Sequence, residues 1–140
     1  MTKMFYFLLF CMICLASTDA QTQKIFRVQL TVEVTGNQVK VYQEQIESNL
    51  YNELAKITDV RITSSGYDYV LYVSIFQLPC ECSSFDYYYR AHFIGKHDTH
   101  FDFLDGRFME GFKNIQQIEE LAKDIIATLN VYQLKDLRSN

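Results

Sequence analysis

The chain predicts an α+β domain in which a mainly antiparallel sheet carries two helices packed on one face. Three observations lead there. Several stretches place apolar residues at every second position, as half-buried strands do. Two others place them three and four apart, as amphipathic helices do. Turn-forming Gly, Asn, Asp and Pro fall between these stretches. The resulting order is β-α-β-β-β-(β)-α, with the helices on one side of a largely hairpin-connected sheet.

Val28, Leu30, Val32 and Val34 alternate with Gln29, Thr31 and Glu33, which describes a strand with one buried and one wet face. Thr35-Gly36-Asn37 ends it, and Asn37 is placed to cap the next element by accepting from free amides at a helix start. From Gln38 to Ile57 the spacing changes: Val39, Tyr42, Ile46, Leu50, Leu54 and Ile57 form one helical stripe. Val60 to Thr63 reads as a short strand, and Ser65-Gly66 as a turn into the strongest strand, Tyr69 to Gln77. There Leu71, Val73 and Ile75 line one face while Val70, Tyr72 and Phe76 line the other, which suits a central strand. The connection is short enough to make the two an antiparallel pair.

Leu78 to Ser84 is a loop, Phe85 to Ile94 a strand, and Thr99 to Leu104 a shorter one after the Gly95-Lys96-His97-Asp98 turn. Arg107 to Phe112 stands between a weakly paired strand and a loop. Asn114-Ile115-Gln116-Gln117 has the pattern of a capping box. It leads into a second helix with Ile115, Ile118, Leu121, Ala122, Ile125, Ile126 and Leu129 on its apolar side. Tyr132 and Leu137 extend that helix as a frayed end.

Residues 1–20 read as a secretory signal peptide: Lys3, an apolar run from Met4 to Ala16, then Thr18 and Ala20 small enough for a signal peptidase. The competing membrane anchor needs ~20 apolar residues, more than this run supplies. Cys11 and Cys14 follow Phe10 and Ile13 rather than small residues, so they read as apolar members of the leader and not as lipid attachment points. Cleavage after Ala20 leaves residues 21–140 as a single domain in a secreted or periplasmic setting. Loss of Lys3 and Asp19 leaves the net charge at −4. That mild acidity, without a basic stripe, argues against nucleic-acid binding. With Pro once and Gly five times, nothing reads as a disordered linker.

Cys80 and Cys82 are the cysteines left after cleavage, and an oxidising compartment favours a disulfide. Alternate residues of extended chain lie about 7 Å apart, just beyond comfortable bridging reach. A bent-loop Cys80–Cys82 bridge and a bridge between chains therefore both remain open. The pair lacks the Cys-x-x-Cys spacing and following helix of a thioredoxin-like site. The same cysteines could join His97 and His100 around zinc, with Asp98 or Asp102 as alternates. Cys-x-Cys is tighter than zinc-knuckle spacing, however, and a polar turn explains the histidines, so no metal or other cofactor is expected. Gly-x-Ser-x-Gly, His-Glu-x-x-His and phosphate-binding glycine loops are absent from the sequence. Solvated faces account for Glu119-Glu120 and for Asp102 with Asp105, and no catalytic residue is assigned.

Ten Tyr and eleven Phe accompany no Trp, and much of the Tyr falls between 67 and 89. On the strand from Phe85, Tyr87, Tyr89 and Phe93 share one face, while Tyr88, Arg90 and His92 share the other. If the helices cover the first, the second carries Tyr72, Tyr88, Arg90 and His92. Tyr and Arg are enriched at binding hot spots, although aromatics are also good strand formers. These four are the candidate binding residues.

The run Leu50 to Ile75, a helix ending Leu-Ala followed by Val60-Arg61-Ile62-Thr63 and Tyr67-Asp68-Tyr69-Val70-Leu71, resembles a pattern of the bacterial envelope. It is similar to the small α+β domains of the TolB amino-terminal, CsgG and penicillin-binding-protein-activator type. The resemblance implies a scaffold or protein-binding module and transfers no functional residues. The expectation is thus an exported, non-enzymatic domain that binds another protein or an envelope component. The alternatives are a carbohydrate or small-ligand binder using the same tyrosines and, behind it, a redox protein using Cys80 and Cys82.

Overall fold

The computed structural model describes residues 24–79, 85–95 and 106–139. In chain order they form β1 (Phe26–Thr35), α1 (Asn37–Lys40), α2 (Gln43–Leu54), β2 (Val60–Ile62), β3 (Tyr69–Gln77), β4 (Tyr87–Gly95) and β5 (Arg107–Lys113). A 3-10 turn (Ile115–Gln117), α3 (Ile118–Thr128), a π-helical turn (Leu129–Leu134) and α4 (Lys135–Ser139) complete the chain. The fold is α+β, with the long helices side by side on one face of a sheet ordered β2-β1-β3-β4-β5. The antiparallel β3–β4 and β4–β5 pairs hold the larger share of the register. β1 pairs in parallel with both β2 and β3.

That parallel half corrects one expectation. β2 and β3 do not form a hairpin; β1 lies between them, so the 63–68 segment spans two strand spacings, about 10 Å. It does so as an arch across β1. Thr63 N–H bonds Val28 O and Asp68 N–H bonds Arg27 O, each at 2.9 Å. Arg27 grips Asp68 through both carboxylate oxygens at 2.8 and 2.6 Å. A short connection permits a hairpin without requiring one. Here β1 already fills the lane between, and the helical crossover carries the chain from β1 to β2 on its far side.

The core follows from alternation. Phe26 and Val28 on β1, Leu71, Val73 and Ile75 on β3, and Tyr87, Tyr89, Ala91 and Phe93 on β4 all face the helices and are buried. They meet Ile46, Leu50 and Leu54 of α2 and Ile118, Leu121, Ala122, Ile125 and Ile126 of α3. The first helical stretch is not continuous: Tyr42 N–H bonds Val39 O at 3.0 Å, a tight turn that separates α1 from α2. Its start is also capped differently from the expectation for Asn37. No side chain of the local sequence caps α1; instead Gln77 Oε1, at the end of β3, accepts from Gln38 N–H at 3.0 Å. The capping box at Asn114 is present, with Asn114 N–H donating to Gln117 Oε1 at 3.3 Å.

Arg107–Lys113, left open between strand and loop, is a full edge strand paired to β4 across a bulge at Ala91/His92. The frayed end is likewise ordered. Leu129 and Leu134 are both buried although five apart, off the 3.6-residue stripe, and the widened π turn carries both inward. Arg138 on α4 then pairs with Asp59, which precedes β2.

One core group stands out. The Tyr87 hydroxyl is fully buried with no hydrogen-bond partner among the described residues. Burial pushes its pKa well above the ordinary phenol value, with the neighbouring Tyr89 adding to the shift. A buried polar atom left unsatisfied costs about 1–3 kcal/mol. Tyr87→Phe is therefore expected to stabilise the domain by ~1 kcal/mol, read as a higher urea midpoint with an unchanged m-value.

Candidate functional site

Register brings the four candidate residues onto one surface. In the antiparallel β3–β4 pair, Tyr72 lies opposite His92, Ser74 opposite Arg90 and Phe76 opposite Tyr88. All point away from the helix-covered face, because they alternate with Leu71, Val73, Ile75, Tyr87, Tyr89 and Ala91, which are buried against the helices.

The four play different parts. Arg90 is exposed and Tyr88 half-buried. Tyr72 is half-buried and donates its hydroxyl hydrogen bond to Glu33 on β1. Burial, with help from Glu33, pushes the Tyr72 phenol up to about 12. His92 is only 4% exposed and packs against the Tyr72 ring, with centroids 6.2 Å apart. It supports the surface from beneath and does not present its ring to a partner.

A charged network crosses the upper part of the face. Tyr88 donates to Glu110 on β5 and accepts from Arg90 Nε at 2.7 Å. Arg107 Nη1 donates to the same Glu110 oxygen at 2.9 Å. The Arg90 guanidinium lies over the Tyr88 ring, 5.0 Å from its centroid. The Tyr88 hydrogen bond, followed by the two arginines, holds the Glu110 carboxyl below the usual carboxylate range. The arrangement fixes the direction of each polar group while leaving it accessible.

Beside this network runs a line of aromatic rings that the sequence reading only partly reached. Phe76, Tyr88, Phe112 and Phe85 follow one another with centroid separations of 6.5, 5.0 and 5.9 Å. Phe76, Phe85 and Phe112 are 38%, 43% and 54% exposed. With Leu78 and Glu110, three of these rings border a shallow depression at the β3–β4–β5 end of the sheet. Phe76 shares Tyr72's face by simple alternation and could have been included from sequence. Phe112 and Glu110 could not, since their place depends on the β4–β5 register that puts Phe112 opposite Tyr88 and Glu110 opposite Arg90.

The other candidates lie elsewhere. Cys80, Cys82, His97, Asp98, His100 and Asp102 fall outside the described residues, as does the leader 1–20. Among the described residues no three His, Cys, Asp or Glu side chains gather as a metal site. No helix among them is long and apolar enough to cross a membrane.

No family model and no curated protein matches the chain. Among solved structures it is similar to two of the PelC dodecamer from Paraburkholderia phytofirmans, one of them a point variant. The variant is 15% identical over 76% of this chain and 85% of that one, with a TM-score of 0.44. The second is 16% identical over 76% and 87%, with a TM-score of 0.43. Both are PelC structures rather than TolB amino-terminal, CsgG or penicillin-binding-protein-activator domains.

Proposed function

We propose that this chain is an exported, non-enzymatic domain that binds another protein or a cell-envelope component through the outer face of β3, β4 and β5. One observation carries the reading. Three exposed phenylalanines and Tyr88 form a continuous aromatic line, flanked by Arg90, Arg107 and Glu110 held in fixed directions. Rigid aromatics with an arginine beside them supply large contact area at low entropic cost, the composition of binding hot spots. The leader pattern supplies the exported setting, and the sequence resemblance of Leu50 to Ile75 to envelope scaffold domains points the same way.

The test is capture of partners from the native exported fraction by wild type and by a Tyr88→Ala, Arg90→Ala variant. Tyr88 is half-buried and bonded to Glu110 and Arg90, so some loss of stability is expected, and capture is compared at a temperature where melts show both proteins folded. A partner engaging this face should be held at least tenfold less well, ~1.4 kcal/mol. Equal retention would remove the face from consideration. A tyrosine-fluorescence response to a glycan panel, lost in the same variant, would replace the protein partner with a carbohydrate.

A further inference from the structure

We infer that the free edge of β1 is a second binding site, a lane that takes an extended peptide segment carrying lysine or arginine at alternate positions. The site is separate from the aromatic face and does not depend on that reading.

The lane arises because β2 is short. It pairs with β1 only from Phe26 to Val28, whereas β3 accompanies β1 to Thr35 on the other side. Among the described residues no strand lies beside β1 after Val28 on the β2 side. Peptide groups alternate direction along a strand. Arg27 O points to β3, where it accepts from Asp68, while Val28 O points to the β2 side, where it accepts from Thr63. Leu30 and Val32, and Val34 beyond them, therefore direct N–H and C=O into the open lane, the arrangement used in strand addition.

Natural sheets blunt such edges with lysine, proline or bulges. Gln29 to Thr35 contains no lysine or proline, its one charge, Glu33, is bonded to Tyr72 on the outer face, and it pairs with β3 without a register shift. The opposite edge, β5, carries Arg107 and Lys113 and a bulge in its pairing. Among the described residues one edge is protected and the other is left ready to pair.

The walls select the occupant. A groove of about 960 Å3 runs along the lane, with Leu30 and Val32 on one side and Glu44, Glu47, Ser48 and Tyr51 on the other. Those four positions, three and four apart, are one stripe of α2. Two carboxylates and no basic side chain line the groove. A strand in the lane sends every second side chain to the helix side. There a lysine or arginine lays its aliphatic stem along Leu30, Val32 and Tyr51 and its charge against Glu44 or Glu47.

The experiment adds a blocked seven-residue peptide of alternating lysine and valine to the full exported chain. Binding should slow amide exchange at Leu30 and Val32 at least tenfold at saturation. The Glu44→Gln, Glu47→Gln variant should bind at least fivefold more weakly. A peptide with glutamate for lysine, and one N-methylated on its pairing edge, should both fail to bind. No binding, equal binding by the neutralised variant, or protection confined to other strands would overturn the proposal. Two results on the free protein would do so as well. Slow exchange at Leu30 and Val32 in a monomer means that the chain fills its own lane. The same protection growing with concentration, alongside a sedimenting oligomer, means that a second copy does.

Discussion

Replacing Gly36 with alanine should destabilise the domain by ~4 kcal/mol, combining a backbone cost of 1–3 kcal/mol with an overpacking cost of similar size. For a domain of this size that lowers Tm by about 15 °C. Gly36 adopts φ 116° and ψ 138°, a region essentially reserved for glycine. A Cβ there would sit 2.3 Å from Gln77 Cβ and 2.6 Å from Gln77 Oε1. Gln77 Cβ is fixed to the end of β3 and cannot swing aside, so backbone must move. Moving it also pulls Oε1 from the Gln38 amide that it caps. Gly66 separates the two costs. It too has positive φ, 64°, but an added Cβ would meet only Arg27 Nη1 at 3.9 Å. Gly66→Ala should therefore cost only the left-handed penalty, ~1–2 kcal/mol. Thermal melts of the two variants should differ severalfold in destabilisation. Equal losses would mean that the approach of Gly36 to Gln77 does not hold β1, α1 and β3 together.

This contact also shows where sequence legibility stops. β1 to β4, both long helices and the two faces of β3 and β4 are readable because each rests on local periodicity, which burial enforces residue by residue; the strand expected at Thr99 to Leu104 lies outside the described residues. Tyr69–Gln77 has the same limits in sequence and structure for that reason. What was not readable depends on partners distant in sequence. Asn37 looked like the cap because its own side chain is suited to it, yet Gln77 performs the task from across the fold. Ser65-Gly66 looked like a hairpin turn because nothing local reveals that β1 occupies the lane between β2 and β3. Lane order depends on pairing between strands distant in sequence, and no window of residues contains that comparison.

The candidate face divides the same way. Alternation alone put Tyr72, Tyr88, Arg90 and His92 on one side of the sheet. It could not show that His92 is buried against Tyr72 while Phe112, from a strand left undecided, is more than half exposed. Nor could it show Tyr88 linked to both Glu110 and Arg90, since that needs the β4–β5 register. Side-chain direction is a local property. Exposure and partnership are properties of the assembled sheet.

Arg138→Leu is expected to cost ~2 kcal/mol at pH 7, below the 3–5 kcal/mol of a fully buried broken pair because Arg138 is partly solvated. Asp59 is 7% exposed. Arg138 meets both of its carboxylate oxygens at 2.5 and 2.7 Å and also reaches Asn130 Oδ1 at 2.9 Å. This clamp joins residues 79 positions apart and ties α4 to the entry of β2. The Arg138 hydrogen bond holds the Asp59 carboxyl below its usual range, against a burial effect that alone would raise it. The sign of the pH dependence follows. A carboxyl depressed by folding contributes stability above its unfolded pKa, ~3.9, and loses that contribution as pH falls through the folded value. Without Arg138, burial outweighs the backbone hydrogen bond that remains to the carboxylate, so the variant's Asp59 is raised and its ionisation opposes folding as pH climbs. The stability gap between wild type and variant should thus be smaller near pH 3.5 than at pH 6–7, and should go on shrinking as pH falls through the depressed folded value. Urea titrations at both pH values measure it. A gap independent of pH would mean that Arg138 acts through the packing of its stem and not through the Asp59 carboxylate. Asp59→Asn in the wild-type background should then leave stability unchanged, whereas the ion pair requires it to fall.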